Sequence, residues 1–576
     1  MNMPSIASFY KKAGIIALAA VVLRLIISWQ ISKITSFVQM PPSTTDLATY
    51  MNLSRSIING TFEGAFYYQP FYYAAFLPAV LLIFGQNVWA VITVQAILGG
   101  LTVFFAAWCA KIIFNEKSGI ITALLLTLSN VLIFYTPFHK IATLQTFIVT
   151  MFTFFLALAF NDEKVRLRYW ICAGAFLGMG CAARGNLYIM LTGLIPLLLW
   201  KFPLKKSIIR IAVIIGMTIL MQLPFIIYNS IQEKRLCGSS TASSAVLALG
   251  NTPEAPPCGL EYPESYHVFM QNEKKRSVPR QIIDYLLSEP LAYLELTFRK
   301  VIFFYDSKDI PNNVNITLQG GSFLNNNITG WGGWILLLGI GGIFFNLKKM
   351  FKERDFGMLI VTSNIIFYGL SISMFYNLAR FRAPILPAMA IIGGIFTVQC
   401  YEKFKAKDYK FPALTLCAGI IIAVLFAPAY RSYEKYIMRG IRPHGTHITA
   451  VNGQKAVADN GPVNFGGHEF YPVKENDIIE KSFSGLPADA QGLLQISPFM
   501  FKRILLEING RRMYWDNKKG ASIRVPCRLV NGKISIRILK FEADSPGFIF
   551  DSQRNYKRSA LNGEILDGEW AMKFYY

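Results

Sequence analysis

The 576-residue chain is 53% hydrophobic and has long uninterrupted apolar runs, which excludes an ordinary soluble globular protein. Its formal net charge is +23, but much of the Lys and Arg lies in short clusters between apolar runs. Such clusters are typical of the cytoplasmic loops of membrane proteins, and they argue against nucleic-acid binding.

The N-terminal sequence MNMPSIASFYKK precedes an apolar run, as in a signal peptide. No small-residue cleavage site follows it convincingly, so we predict a retained first membrane helix. Spans of about 20 apolar residues recur along the chain. The eleven predicted spans are 14–31, 88–112, 118–135, 141–160, 169–183, 187–200, 208–228, 331–345, 358–375, 383–400 and 411–427.

A further apolar stretch, residues 71–85, is short for a membrane span. With eleven spans and a cytoplasmic N-terminus, five basic clusters fall on the cytoplasmic side: 11–12, 164–168, 201–206, 348–354 and 402–410. A twelfth span at 71–85 would move four of these five clusters to the other side, against the positive-inside bias. We therefore predict that 71–85 is an interfacial or re-entrant helix.

The resulting topology predicts a transmembrane domain at 1–430, with outer loops at 32–87 and 229–330. After about residue 431 no spanning run occurs, and strand-like pieces such as ISIRILKFEA appear. Turn signals recur there at Asn452-Gly453, Asn509-Gly510, Asn531-Gly532 and Asn562-Gly563. We predict that 431–576 is a β-rich extracytoplasmic domain of sandwich-like form.

Two cysteines, Cys237 and Cys258, share a long polar loop and could form a disulfide if that loop is extracytoplasmic. No CxxC or His-rich spacing indicates zinc, so no metal site is predicted.

Polar residues at the ends of several spans reach the same outer face in this topology. They are Asp46 and Tyr50, then His139, Lys140 and Gln145, then Arg184, and finally Arg380 and Arg382. One carboxylate among several cations suits a lipid-linked anion such as a polyprenyl phosphate, because guanidinium groups bind phosphate oxygens through paired donors. The carboxylate can act as a general base towards an acceptor hydroxyl or amine.

The residues alone leave other roles open for each of these groups. Asp46 could cap the helix that follows Thr45. Arg380 and Arg382 could be interfacial anchors, Arg184 could end a helix, and Lys140 could extend to the interface.

The order and spacing of several motifs carry more information. They are Asp46-x-x-x-Tyr50, the Asn59-Gly60 turn, QPFYYAAFLPAVLLIFG from Gln69 with Gln95 beyond it, RGN at Arg184, ALGNTPEA at 248–255, RKVIFFYDSKDIPNN at 299–313 with Lys300, and ARFRAPILP at 379–387. Over about residues 10–430 the chain resembles the GT-C superfamily of membrane glycosyltransferases. The resemblance is to the family 39-like branch that includes protein mannosyltransferases and aminoarabinose transferases.

The resemblance implies a helical polytopic fold and inverting transfer of a sugar from a polyprenyl-phosphate donor, on the outer face of the cytoplasmic (inner) membrane. Asp46 would be the general base. The implied substrate-binding residues are Tyr50, Gln69, His139, Lys140, Arg184, Lys300, Arg380 and Arg382. The acceptor would be a lipid, a glycan or a protein.

The sequence departs from this family pattern in its acidic residues. Many relatives have two acids in the first loop, whereas Thr45 precedes Asp46 here. Where many relatives have an acid after the third span, this chain has His139 and Gln145. The resemblance therefore implies no cofactor and leaves a divalent metal open, and Glu63 is the nearest other first-loop carboxylate.

Other functions compatible with the sequence are a transporter or flippase of lipid-linked sugars, and a glycan polymerase or ligase with a diphosphate-linked donor. A third is a scaffold that displays the C-terminal domain. Tyr514, Trp515 and Trp570 in that domain could stack on acceptor sugars or belong to its core.

Overall fold

The computed structural model describes residues 6–39, 41, 45–161, 166–260, 262–305, 314, 316–326, 332–410, 413, 446–449, 455–459, 470–483, 486–496, 498–516, 523–551, 558–566, 569–570 and 572–576. The chain divides into two compact units. The first comprises Met1–Cys258, Tyr266–Ile310 and Asn315–Leu425, and the second comprises Gly259–Ser265, Pro311–Val314 and Phe426–Tyr576.

The described part of the first unit is helical. Its α-helices are α1 (Ile6–Ile34), α2 (Asp46–Ile58), α3 (Leu77–Phe84), α4 (Val88–Ile113), α5 (Glu116–Thr127), α6 (Asn130–Phe134), α7 (Ala142–Asn161), α8 (Leu167–Ala183), α9 (Met190–Lys201), α10 (Leu204–Glu233), α11 (Ser243–Asn251), α12 (Glu264–Asn272), α13 (Val278–Ser288), α14 (Pro290–Tyr305), α15 (Ile316–Gln319), α16 (Gly321–Asn326), α17 (Gly332–Lys352), α18 (Phe356–Ser373) and α19 (Leu386–Lys405). Short 3₁₀ turns lie at Ser36–Val38, Gly185–Ile189, Ala379–Phe381 and Ala383–Ile385.

Among the described residues, seven helices are long and apolar enough to cross a membrane, namely α1, α4, α7, α10, α17, α18 and α19. Shorter apolar helices occupy Phe71–Phe84, Leu167–Ala183 and Gly185–Lys201. The predicted polytopic helical fold is confirmed, while the count of eleven spans stays a prediction. The last predicted span, 411–427, lies outside the described residues apart from position 413.

The predicted span 118–135 is not one continuous helix. Helix α5 ends at Thr127, and the short α6 starts at Asn130 after Ser129 in extended backbone. The Asn130 side chain donates a hydrogen bond to the Leu324 carbonyl oxygen at 2.6 Å. The polar residues Ser129 and Asn130 thus interrupt the apolar run, and the Asn130 side chain bonds another segment of the chain.

Helices α8 and α10 approach each other closely through small residues. A Cβ atom on Gly174 would lie 2.8 Å from the Ile214 carbonyl oxygen. The Thr218 hydroxyl donates to the Gly174 carbonyl oxygen at 3.2 Å. This pairing of glycine with a cross-helix hydroxyl is typical of packed membrane helices.

The apolar stretch predicted to lie at the interface forms a bent helix in the first loop. Residues Phe71–Phe76 form a π-helical turn in which the Leu77 N–H bonds the Tyr72 carbonyl oxygen. Helix α3 continues the turn, with Pro78 in its first turn. The combined helix, Phe71–Phe84, is about 21 Å long at 1.5 Å per residue, against a hydrocarbon thickness of about 30 Å. Its length fits the predicted interfacial or re-entrant helix.

The second unit is β-rich, as predicted. Its strands are β1 (Thr446–Thr449), β2 (Lys455–Asp459), β3 (Phe470–Pro472), β4 (Ile478–Ser482), β5 (Gln491–Ile496), β6 (Pro498–Ile508), β7 (Arg511–Asp516), β8 (Ile523–Arg528), β9 (Lys533–Asp551), β10 (Ser559–Leu561), β11 (Glu564–Ile565), β12 (Glu569–Trp570) and β13 (Met572–Tyr575). One sheet has the order β1-β2-β13-β5-β8 and the other β11-β10-β4-β9-β6-β7, with β3 and β12 also paired to β9. Side chains from both sheets form one hydrophobic core.

Three of the predicted Asn-Gly turns have positive φ at both residues, at 509–510, 531–532 and 562–563. Paired positive φ values are what a type I′ hairpin turn requires. The fourth turn, at 452–453, lies outside the described residues. Trp515 and Trp570 belong to the hydrophobic core, whereas Tyr514 is half exposed. Of the three aromatic residues considered for sugar stacking, the structure therefore leaves only Tyr514 accessible.

Candidate functional site

An ion pair between Asp46 and Arg380 lies at the centre of the site. Asp46 is the first residue of α2, and Arg380 lies in the 3₁₀ turn Ala379–Phe381 that follows α18. Nη2 of Arg380 donates to Oδ2 of Asp46 at 2.9 Å, across 334 positions of sequence. The position of Asp46 at a helix N-terminus also favours its negative charge. The α2 cap residue, Thr45, makes no side-chain capping bond.

Arg380 retains hydrogen-bonding capacity beyond this pair. Its side chain is only 6% exposed, whereas that of Asp46 is 33% exposed. Among the described residues, the buried Nε and Nη1 atoms of Arg380 have no hydrogen-bond partner. A buried donor without a partner costs about 1–3 kcal/mol, more for a charged group. The guanidinium is therefore suited to an anionic ligand that supplies the missing acceptors.

The charges around Asp46 keep it ionised. Burial alone would raise the pKa of Asp46, but the positive charges of Arg380, Lys140 and Arg184 and the hydrogen bond from Arg380 outweigh it. The net result is a pKa below the ordinary value of 3.8. The same carboxylate, together with Tyr68, Tyr376 and Tyr50, raises the pKa of Arg380 even though burial opposes this shift. Asp46 thus lies within electrostatic reach of three of the four cations predicted from the span ends.

The first-loop helix α2 is held against the bent helix Phe71–Phe84 by tyrosines. The Tyr50 hydroxyl donates to Oε1 of Gln69 at 2.8 Å, and both side chains are buried. Tyr50 also stacks on Tyr73 and contacts the edge of Tyr72, with ring centroids 6.2 and 5.4 Å apart. Gln69 has φ +53° immediately before Pro70. Tyr50 and Gln69 therefore fix the distance between Asp46 and the bent helix Phe71–Phe84.

Gln95 of α4 connects this bent helix to the loop that carries Lys140. Its Oε1 accepts from the Tyr72 hydroxyl at 3.3 Å. Its Nε2 donates to the carbonyl oxygens of Thr136 and Phe138 at 2.8 and 3.0 Å. Gln95 is fully buried. The two bonds from Nε2 hold the loop before Lys140, and the bond to Tyr72 holds the bent helix, so Gln95 controls the position of Lys140 relative to that helix.

His139 and Lys140 are both buried in this loop. Burial and the nearby charge of Arg55 lower the pKa of His139 to about 4, so the imidazole is neutral at pH 7. Neither ring nitrogen of His139 has a hydrogen-bond partner among the described residues. Lys140 interacts electrostatically with Asp46. His139 can therefore offer a neutral donor and acceptor beside a cation.

The remaining predicted arginines lie nearby but differ in their contacts. The Arg184 guanidinium lies 3.7 Å from the centroid of the Phe381 ring, and its buried Nη2 has no hydrogen-bond partner among the described residues. Arg382 is 2% exposed and precedes the 3₁₀ turn Ala383–Ile385. Phe381 thus places Arg184 against the turn that carries Arg380.

Lys300 lies apart from the Asp46–Arg380 pair, in a site of its own. Its Nζ donates to the carbonyl oxygen of Gly250 and, at 3.2 Å, to that of Ser373. Asn377 in turn donates to the Lys300 carbonyl oxygen at 3.1 Å. Burial lowers the pKa of Lys300 to about 7. These contacts join α11 and α14 to the end of α18, and they do not bring Lys300 to Asp46.

Two tyrosines in the site were not among the predicted residues. The hydroxyls of Tyr68 and Tyr376 lie 3.0 Å apart, and Tyr376 contacts the Phe381 ring at a centroid distance of 5.3 Å. Both tyrosines interact electrostatically with Arg380. Each precedes a predicted motif, Tyr68 immediately before Gln69 and Tyr376 four residues before Arg380, and this is the only sequence signal that could have found them.

The other predicted site features have simpler outcomes. Glu63 is exposed in the turn region after α2. Cys237 is half-buried and Cys258 is buried, and no disulfide joins the two in the structure. Within the described residues, no group of three or more His, Cys, Asp or Glu side chains is placed to hold a metal ion.

Comparison with known families gives one match. Residues 68–228 match the family described as dolichyl-phosphate-mannose-protein mannosyltransferase. The matched stretch includes Gln69, His139, Lys140 and Arg184, and it confirms the predicted GT-C resemblance. No curated protein matches the chain.

Two solved structures that the chain matches are distant from it in sequence. An Archaeoglobus fulgidus oligosaccharyltransferase in the apo form is 16% identical, with a TM-score of 0.44, covering 73% of this chain and 55% of that one. ArnT from Cupriavidus metallidurans bound to undecaprenyl phosphate is 14% identical, with a TM-score of 0.40, covering 71% and 65%. The chain therefore spans between about half and two thirds of the length of these proteins.

Proposed function

We propose, from the premise that this chain is a GT-C type membrane glycosyltransferase, that it moves a sugar from a polyprenyl-phosphate donor to an acceptor at the membrane surface. The proposal places the site on the outer face of the cytoplasmic membrane, with the N-terminus inside and the β-rich unit outside. The positive-inside bias of the basic clusters supports this orientation.

The observation that carries the proposal is the Asp46–Arg380 pair with its unfilled donors. The Arg380 guanidinium is paired on one nitrogen, and its two other buried nitrogens have no partner in the described part of the chain. It can therefore bind phosphate oxygens without releasing the carboxylate. Lys140 and Arg184 add positive charge at the same place. This arrangement fits a donor whose leaving group is an anion.

The reaction is written as a single displacement. The acceptor oxygen or nitrogen attacks the anomeric carbon and transfers its proton to the Asp46 carboxylate. The bond between the anomeric carbon and the phosphate oxygen breaks, and the electron pair leaves with the polyprenyl phosphate. The cations stabilise the charge that develops on the leaving oxygen. One displacement of this kind inverts the anomeric configuration.

The test of the base is Asp46→Asn in the purified protein, with polyprenyl-phosphate sugars as donors and a membrane fraction as acceptor. We expect transfer to fall by about 10²–10⁴-fold, the usual contribution of a general base. The matched control is Glu63→Gln, which neutralises an exposed carboxylate of the same loop. Transfer that survives Asp46→Asn would exclude Asp46 as the base.

The same assay separates the alternative functions. A flippase would deliver unmodified donor to the other leaflet, with no new glycosidic bond in the product. A polymerase or ligase would use a diphosphate-linked donor in preference to the monophosphate. Product mass and donor choice distinguish these two outcomes from the proposed transfer.

A further inference from the structure

The contact between helices α8 and α10 changes from small residues to large ones towards the start of both helices. Gly178 packs against the backbone of Thr218, where a Cβ atom on the glycine would lie 2.7 Å from the Thr218 carbonyl oxygen. Eight positions earlier on each helix, the same register brings Trp170 to Arg210. The central carbon of the Arg210 guanidinium lies 5.6 Å from the centroid of the Trp170 ring. A cation thus lies at the helix contact where the packing is no longer made by glycine.

Arg210 and Trp170 both have hydrogen-bond donors that nothing in the described part of the chain accepts. Arg210 is only 6% exposed, and its buried Nη1 atom has no hydrogen-bond partner there. Trp170 is fully buried, and its Nε1 atom also has no partner among the described residues. A buried donor without an acceptor destabilises a protein, so a ligand that supplies oxygen acceptors is favoured at this place.

Lys201, in the last turn of α9, brings a second positive charge to the same place. Its Nζ donates to the carbonyl oxygen of Phe160, near the end of α7. Arg210 and Lys201 share the Phe202 ring, at 3.9 and 5.5 Å from its centroid. Lys201 and Phe202 are half-buried, so this place can be reached from the protein surface. The aromatic ring stabilises both cations but does not neutralise them.

The acid nearest to this pair of cations has other partners. Asp355, before the start of α18, acts electrostatically on Lys201. Its Oδ2 lies 3.1 Å from Nζ of Lys349, and its Oδ1 accepts from the Met358 N–H at 3.0 Å. Among the described residues, no carboxylate forms an ion pair with Lys201 or Arg210. The two cations therefore keep an excess of positive charge, which attracts an anion.

The surroundings of these cations favour a lipid over a free anion. Helices α8 and α10 begin at the basic clusters 164–168 and 201–206, which the positive-inside bias places at the cytoplasmic membrane surface. Both helices also carry exposed apolar side chains at this end, namely Leu167, Ile171, Leu204 and Ile208. Acyl chains can cover such side chains, whereas a free phosphate ion gains nothing from them.

We propose that this end of α8 and α10 binds the phosphate group of an anionic phospholipid from the cytoplasmic leaflet. Arg210 and Lys201 supply the positive charge, and the indole N–H of Trp170 supplies a further donor. A guanidinium binds phosphate oxygens through directed, charge-assisted hydrogen bonds. Basic pockets between membrane helices on the cytoplasmic side are known to hold anionic lipid headgroups.

This lipid site is separate from the Asp46–Arg380 pair. Trp170 lies in the first turn of α8, whereas Arg184 follows the opposite end of the same helix. The 14 positions between them correspond to about 21 Å at a rise of about 1.5 Å per residue. The proposal therefore does not rest on sugar transfer, and its test needs no donor or acceptor.

The test measures thermal unfolding of the full-length, delipidated protein in detergent, with phosphatidylglycerol, phosphatidylcholine or inorganic phosphate added. Because a ligand stabilises the folded state that binds it, we expect phosphatidylglycerol to raise the unfolding midpoint by several degrees. Phosphatidylcholine and inorganic phosphate should leave it nearly unchanged. An equal rise with phosphatidylcholine would overturn the role of lipid charge. An equal rise with inorganic phosphate would overturn the assignment to a lipid.

Variants then assign the effect to these residues. Arg210→Gln should abolish the rise caused by phosphatidylglycerol, and Trp170→Phe, which keeps a ring but removes the N–H donor, should reduce it. The matched control is Lys206→Gln, at an exposed lysine of the same cluster, which should keep the rise. A rise that survives Arg210→Gln, or that Lys206→Gln removes equally, would overturn the proposal.

Native mass spectrometry of the wild type gives a readout that depends on no variant. We expect the protein to retain one phosphatidylglycerol molecule under conditions that remove phosphatidylcholine. Equal retention of the two lipids would overturn the proposal.

Discussion

Arg380 and Lys300 are both buried cations, yet their surroundings differ in kind. Arg380 bonds one carboxylate and keeps two nitrogen atoms without partners among the described residues. Lys300 is fully buried and donates to two backbone carbonyl oxygens. Among the described residues, it forms no ion pair with a carboxylate. Burial of a positive charge therefore does not by itself indicate a ligand site. The unfilled donors of Arg380 do, because satisfied groups have little to gain from a ligand.

Within this comparison, the largest expected effect comes from replacing Arg380 by a neutral residue. Arg380→Ala should lower kcat/KM for the lipid-linked donor by about 10²-fold, since charge-assisted hydrogen bonds contribute about 1.5–3 kcal/mol each. Lys300→Met should leave donor use nearly unchanged and lower the thermal midpoint, because the Gly250 and Ser373 carbonyl oxygens lose their donor. Transfer kinetics and thermal unfolding in detergent measure both.

A conservative variant sharpens this prediction. Arg380→Lys keeps the positive charge beside Asp46 but removes the multiple donors of the guanidinium. We expect it to recover part of the donor use that Arg380→Ala loses. If Lys300→Met reduced donor use as much as Arg380→Ala, the distinction between the two cations would be wrong.

Lys300 and Asp46 should also make the stability of the protein depend on pH, in alkaline and in acidic solution respectively. Burial lowers the pKa of Lys300 from 10.5 to about 7, so the unfolded chain binds more protons between these values. Stability should therefore rise with pH from about 7 upward, by about 1.4 kcal/mol per pH unit at most for one proton. Asp46 has a pKa below 3.8, so its contribution is present above that value and is lost on acidification through its folded pKa.

Thermal unfolding of the wild type and Lys300→Met between pH 7 and 9 measures the first of these effects. The wild type should gain stability relative to the variant across this range. Parallel curves for the two proteins would show that Lys300 does not titrate there.

The sequence predicted the membrane helices well where apolar runs are continuous. The predicted spans 88–112 and 141–160 correspond to Val88–Ile113 and Ala142–Asn161. The break within 118–135 was missed because an apolar count cannot register that Asn130 bonds a segment 194 residues away. Local composition thus predicts that the segment is helical, whereas the break between α5 and α6 coincides with a long-range hydrogen bond that composition does not show.

The site was predictable to the extent that charge in apolar surroundings is rare. Asp46, Lys140, Arg184 and Arg380 stand out from the sequence for that reason, and the structure brings them together. Lys300 stands out equally, but the sequence does not show that two carbonyl oxygens saturate it. Tyr68 and Tyr376 were missed because they are two of 27 tyrosines, and it is their contacts with each other and with Arg380 in the structure that distinguish them.

Gln95 is an intermediate case. Like Lys300 it has hydrogen-bond partners within the protein, but two of these partners belong to the loop that carries Lys140. Gln95→Leu removes the donor to the Thr136 and Phe138 carbonyl oxygens, and each unsatisfied group costs about 1–3 kcal/mol. We expect kcat/KM for the donor to fall by about tenfold as Lys140 loses its position. The matched control is Gln222→Leu, which removes another buried amide bonded to a tyrosine. Equal losses in both variants would indicate general destabilisation instead.

The smallest expected effect is that of the Tyr376 hydroxyl. Tyr376→Phe keeps the ring on Phe381 and removes the hydroxyl that contacts the Tyr68 hydroxyl and interacts with Arg380. A neutral hydrogen bond of this kind contributes about 0.5–1.5 kcal/mol, so transfer should fall by less than about tenfold. Tyr401→Phe, at an exposed position of α19, should have no effect. A loss as large as that of Arg380→Ala would instead place the Tyr376 hydroxyl among the groups that contact substrate, and the site would then extend beyond the charged residues.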